Sequence, residues 1–125
     1  MANRILVVDD EPDIITVLKG RLVSAGYDVV TAADGREALD TVRQAAPDLI
    51  ILDLMLPKVN GYEVCTMLKQ DARHQKIPII LFTALTQEKD KQLAAQCGAD
   101  AYVCKPFKGQ ELLERIRALL PTSSA

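Results

Sequence analysis

Four apolar runs in this chain each end on a side chain able to do chemistry. Residues 49–52 (Leu-Ile-Ile-Leu) stop at Asp53, inside the stretch from Pro47 to Pro57. Residues 5–8 (Ile-Leu-Val-Val) stop at Asp9-Asp10-Glu11, residues 77–82 at Thr83, and residues 101–104 at Lys105-Pro106. A buried strand has no reason of its own to finish on a charge, because an ion taken out of water costs free energy unless it is paired. Alone, Asp53 reads as a residue that caps the following turn. Together, Asp9, Asp10, Asp53, Thr83 and Lys105 offer hard oxygen donors, one hydroxyl and one ammonium. That set suits a divalent cation with a counter-charge and a hydrogen-bond donor beside it.

For these groups to meet, the runs must be strands that point the same way. Residues 5–8 are apolar and rich in β-branched side chains, and Pro12 then suits the first turn of a helix, where its missing N–H is harmless. Ile14, Leu18 and Leu22 recur every four residues with Ile15 and Val17 beside them, and Gly26 closes the pattern. Residues 28–32 form a weaker, more polar strand, as expected at an edge. Asp34 with Glu37 resembles a capping box ahead of a helix carrying Ala38, Leu39 and Val42 inward. Asn60 with Glu63 repeats that signal before Val64, Met67 and Leu68. Residues 77–82 are the most apolar run, with Pro78 near its start, where a missing ladder donor is tolerable. Thr86 can cap a fourth helix that turns Leu93, Ala94 and Cys97 inward and closes at Gly98. A final helix aligns Leu112, Ile116 and Leu119 and stops before Pro121.

Five strands alternating with five helices through short connections specify βαβ units, right-handed crossovers and a parallel sheet covered on both faces. The strongest runs (first, third and fourth) belong in the centre, and the weaker second and fifth at the edges. The order 2-1-3-4-5 meets that requirement and places a switch point between the first and third strands, where open α/β sheets bind ligands. Three carboxylates, a hydroxyl and an ammonium then share one rim. Unit charges ~4 Å apart repel by about 4 kcal/mol at an effective dielectric of 20. Lys105 offsets part of this, and a proton or a cation must offset the rest. Oxygen donors without His or Cys select Mg²⁺, or Mn²⁺ in its place, and the open coordination positions suit phosphate oxygens.

The remaining composition narrows the classes. At 125 residues, 49% hydrophobic and 26% charged, the chain is one globular domain able to form a core without staples. A formal net charge of -2 speaks against nucleic acid or an anionic membrane as a direct partner. No apolar stretch approaches the ~18 residues of a membrane span, and the N-terminus lacks a signal-peptide layout, so the cytoplasm is the expected location. Cys65, Cys97 and Cys104 fit neither zinc-ligand spacing nor a disulfide framework. Cys65 and Cys97 are expected to be small buried apolar residues. The single histidine, His74, sits in a polar helix-end segment where solvent exposure is expected, which leaves no basis for a Ser/His/Asp or Cys/His catalytic machine.

At these positions the sequence resembles the receiver domain of bacterial two-component response regulators. The likeness runs from Arg4 to Leu120, and each motif residue falls at a strand end. It implies a flavodoxin-like, CheY-like three-layer (βα)5 sandwich over residues 1–121, with a short tail at 122–125. It implies further that Asp53 is the phosphoacceptor, taking a phosphoryl group from a sensor histidine kinase or a histidine phosphotransfer protein. Asp10 and Asp53 would hold Mg²⁺ directly, with the Met55 main-chain carbonyl as a third ligand and Asp9 mostly through water. Lys105 and Thr83 would contact phosphoryl oxygens, and little covalent chemistry would be left to the protein. Glu11 reads better as a helix-start charge.

By the same resemblance Thr83 and Tyr102 form the switch, although an edge-strand tyrosine can also be simply exposed. The surface made by the fourth helix, fifth strand and last helix would recruit a downstream target, an output domain, or a second copy as a homodimer. The resemblance implies a signalling phosphoacceptor that assists only its own phosphorylation and dephosphorylation, and not an enzyme. Met55 and Leu85 are apolar and cannot orient an attacking water, so a long-lived aspartyl phosphate is expected.

Three competing readings are weaker. A Mg²⁺-dependent aspartyl phosphatase of the haloacid-dehalogenase type needs a second Asp where Met55 stands. A flavodoxin-like FMN binder needs a phosphate loop after the first strand, where Asp9-Asp10-Glu11 would repel it. A receiver-like docking domain that is never phosphorylated would not need the acceptor set.

Overall fold

The computed structural model describes residues 3–53, 56, 60–83, 92, 96–104 and 109–120, without the side chains of Thr83 and Cys104. Met55, Pro57, Leu85, Thr86, Leu93, Ala94, Lys105, Pro106 and the tail at 122–125 lie outside these residues. The elements run β1 (Arg4–Val8), α1 (Pro12–Ser24), β2 (Asp28–Ala32), α2 (Gly35–Ala45), β3 (Leu49–Asp53), α3 (Gly61–Gln70), β4 (Ile79–Thr83), β5 (Ala101–Cys104) and α4 (Gly109–Leu119). Of the helix expected between Thr86 and Gly98, Gln92 and Gln96 are described and both are helical.

The sheet is parallel throughout, in the order β2-β1-β3-β4-β5. Apolar content sets that order. All five residues of β3 are buried, as are residues 5–8 of β1, whereas β2 is largely half-exposed at one edge. Strand alternation divides the interior into two layers. Leu6, Val8, Ile50, Leu52, Ile79 and Leu81 face α2 and α3, through Ala38, Leu39, Val42, Val64, Cys65 and Leu68. Ile5, Val7, Leu49, Ile51, Ile80 and Phe82 face α1 and α4, through Leu18, Leu22, Leu112 and Ile116.

The helix starts follow the local chemistry. Asp34 accepts from the Glu37 amide at 2.8 Å, and Asn60 accepts from the Glu63 amide at 3.0 Å, each satisfying an amide that the first helical turn leaves unpaired. Pro12 is the first residue of α1, and Gly26 follows its C-cap with φ 97°, a conformation open to glycine without strain.

Three expectations need correction. β4 begins at Ile79 rather than at residue 77, because Pro78 has no N–H to donate, although its carbonyl accepts from the Ile50 amide at 3.0 Å. Met67 is 48% exposed and Val17 50%, so the buried stripes of α3 and α1 are narrower than their apolar residues suggest. His74 is no solvent residue: its side chain is 14% exposed, and Nδ1 lies 3.1 Å from Asp71 Oδ2. Hydrogen bonds from Arg73, reinforced by His74, hold the Asp71 carboxyl at about 2, below its usual range.

Candidate functional site

The acidic site is assembled by the register of three strands. Val8 pairs with Leu52 at the end of the β1–β3 ladder, and Asp53 pairs with Phe82 across to β4. Asp9 continues beyond β1 while its amide still donates to the Ala32 carbonyl on β2 at 3.2 Å. Asp9 and Asp53 therefore leave the sheet side by side, with backbones held by the ladder. The Asp9 carboxylate accepts from the Glu11 amide at 2.9 Å, a local turn that fixes its direction and leads the chain into Pro12 and α1.

Carboxylate oxygens of Asp9, Asp10 and Asp53 lie within 4.8 Å of one another. Asp9 is 2% and Asp53 4% exposed, while Asp10 faces solvent. At that spacing two full unit charges repel by about 3–4 kcal/mol at an effective dielectric near 20. The donors are oxygens alone, which fits a small hard divalent cation such as Mg²⁺, and the exposed Asp10 leaves a route in from water. The cluster sits where β1 and β3 adjoin and the crossovers part to opposite faces, the switch point of the fold.

The other expected residues are placed by backbone. Thr83 ends β4 one residue beyond Phe82, the partner of Asp53, and it pairs with Cys104 on β5. Lys105 follows Cys104 directly in the chain but, like Met55, lies outside the described residues. Tyr102 is half-buried on β5 and packs against the layer covered by α2 and α3.

Two arrangements escaped the sequence reading. Lys69 Nζ donates to Asp100 Oδ2 at 2.8 Å, to the Ile77 carbonyl at 2.8 Å and to the Gln75 carbonyl at 3.2 Å. Asp100 Oδ2 also accepts from the Ile79 amide at 2.8 Å, which ties together the amino ends of β4 and β5. Separately, the Cys65 thiol donates to the Cys97 carbonyl at 3.3 Å. The available signal was that Lys69 and Cys65 are four residues apart, and so share the inward side of α3.

Comparison with known proteins agrees with this geometry. The family model described as the response regulator receiver domain matches residues 5–117. The chain is 49% identical over 125 residues to the alkaline phosphatase synthesis transcriptional regulatory protein PhoP of Bacillus subtilis (strain 168), covering 98% of this chain and 50% of that protein. The chain thus spans about half the length of the curated relatives it matches. Among solved structures, a putative response regulator from Chloroflexus aurantiacus superposes with a TM-score of 0.93 at 34% identity, covering 98% of this chain and 100% of that one. The receiver domain of a sensor histidine kinase from Pseudomonas aeruginosa PAO1 gives a TM-score of 0.90 at 31% identity, covering 98% and 100%, and carries a magnesium ion coordinated in its active-site cleft.

Parallel order, switch-point acids and family match converge on a phosphoacceptor module of two-component signalling. The chain belongs to the response regulator receiver domain family.

Proposed function

We propose that Asp53 is the residue phosphorylated in this receiver. The observation that carries the reading is the convergence of three carboxylates within 4.8 Å, two of them buried, at the carboxyl edge of the sheet. A carboxylate oxygen of Asp53 attacks phosphorus of a phosphohistidine on a sensor kinase or a phosphotransfer protein. The P–N bond breaks, the imidazole leaves, and Asp53 carries an acyl phosphate. Asp10, Asp53 and the Met55 main-chain carbonyl would hold Mg²⁺ directly, or Mn²⁺ in its place, with Asp9 acting through water. The ion would supply positive charge against that gathering on the transferred oxygens.

The chain's own residues do the rest. The Asp9 carboxylate is oriented by the Glu11 amide and stands beside Asp53. Lys105 pairs with one phosphoryl oxygen, and the Thr83 hydroxyl donates to another. The new dianion thereby biases an existing equilibrium of the β4 and β5 ends, with Tyr102 as the reporter on the edge strand. The receiver unit spans residues 1–121, with 122–125 as a tail. The face around Tyr102 and α4 serves a downstream partner or output domain, as suits a chain half the length of a transcriptional regulatory relative.

Acetyl phosphate with Mg²⁺, read by intact mass, tests the assignment. Wild type gains one phosphoryl group and Asp53→Asn gains none. An adduct retained in Asp53→Asn would overturn the site, and no adduct in wild type would favour a docking domain instead. The apolar Met55 makes the phosphoryl group long-lived, so Met55→Asn is expected to hasten its loss. A slower loss in that variant would contradict the role given to Met55.

A further inference from the structure

Cys65 and Cys97 take no part in phosphoryl transfer, yet the fold brings them together from 32 residues apart. Cys65 is fully buried on α3, among Val64, Leu68 and Leu81. Cys97 is 8% exposed and lies beside Gly98, whose φ of 89° turns the chain toward β5. The Cys65 thiol donates to the Cys97 carbonyl at 3.3 Å, so its sulfur sits against Cys97. Neither is held in a disulfide.

Access and charge separate the two. Cys97 lines a surface cavity of about 210 Å³ together with Tyr62, Thr66 and Gln96. Cys65 is 0% exposed. Lys69, which anchors the amino ends of β4 and β5, runs its stem against Gly98, and its positive charge acts on both thiols. The neighbouring Cys65 thiol, the amides of Ala99 and Cys97 itself, and Lys69 draw the Cys97 thiol toward its thiolate. The same thiol neighbour and deep burial push the Cys65 thiol the other way.

We infer that Cys97 and Cys65 form a peroxide-reactive dithiol, with Cys97 as the attacking sulfur and Cys65 as the resolving one. The Cys97 thiolate attacks one oxygen of hydrogen peroxide, and the O–O bond breaks. Hydroxide leaves and takes a proton to become water, and Cys97 becomes a sulfenic acid. The Cys65 sulfur then attacks the Cys97 sulfur, the S–O bond breaks, and the departing hydroxide takes the Cys65 proton. Two thiols and one peroxide give one disulfide and two waters, with two electrons passing from sulfur to oxygen. The bond ties α3 to the segment that enters β5, the strand bearing Tyr102.

The test is a titration of the intact chain with hydrogen peroxide, followed by alkylation under denaturing conditions and peptide mapping. Of the three cysteines in the sequence, only Cys104 should remain alkylatable, with Cys65 and Cys97 linked within one chain and restored by a dithiol reductant. Cys65→Ser should stop at a Cys97 sulfenic acid trapped by dimedone, and Cys104→Ala should still form the bond. Brief native alkylation of wild type, which does not depend on any variant folding, should label Cys97 ahead of Cys65. Three alkylatable thiols after peroxide treatment, a bond that includes Cys104, or a bond between chains would each overturn the inference.

Discussion

The two ends of the sheet are built on opposite electrostatic plans. At the carboxyl end, Asp9, Asp10 and Asp53 gather charge of one sign within 4.8 Å. At the amino end, one ammonium and one carboxylate meet at 2.8 Å, and every proton of Lys69 has an acceptor. Both ends draw residues from distant parts of the chain, and both involve half-buried or buried ions. The second is a saturated pair of opposite charges. A saturated pair fixes structure, whereas three acids gathered at one rim suit a hard cation from solution.

Removing either partner should expose that difference. Lys69→Met takes the donor from Asp100 and two carbonyls, and a loss of about 2–3 kcal/mol in urea unfolding is expected, since hydrogen bonds to charged groups are the stronger kind. A loss below about 0.5 kcal/mol would reduce the anchor to an ordinary surface pair. Magnesium should act at the opposite end and with the opposite sign. At ten times its Kd, Mg²⁺ stabilises the chain by about 1.4 kcal/mol through mass action. That increment should shrink in Asp9→Asn and persist in Lys69→Met, and calorimetry with and without chelator would show whether it does.

The smallest effect concerns Asp71, outside both clusters. Its folded pKa of about 2 lies below the ordinary 3.8, so its contribution is present above pH 4 and disappears as pH falls toward 2. Asp71→Asn should lower the plateau above pH 4 and flatten the acid limb in that window, so that variant and wild type converge toward pH 2. An unchanged acid limb would show that the bonds from Arg73 and His74 persist in the unfolded chain.

The legible parts of this protein are those where one local pattern decides. β3 was readable to the residue because an unbroken apolar run ends on a charge, and α2 and α3 because Asp34–Glu37 and Asn60–Glu63 announce their own caps. The acidic cluster was readable because strand order converts three sequence positions into one place. Long-range pairing was not. Nothing near Lys69 points to Asp100, 31 residues away, and nothing near Cys65 points to Cys97, because no periodicity spans separate elements. His74 was misread for a nearer reason: a polar neighbourhood suggests solvent, but Asp71 turned the ring inward. Met67 was misread because apolar character does not fix which side of a helix is covered.

The bond from the Ile79 amide to Asp100 has a mechanical meaning. It fastens β4 and β5 where they enter the sheet, at the end opposite the acidic cluster. A tie at the root stops the two strands sliding past one another, so that Thr83 and Cys104 arrive at the rim in register.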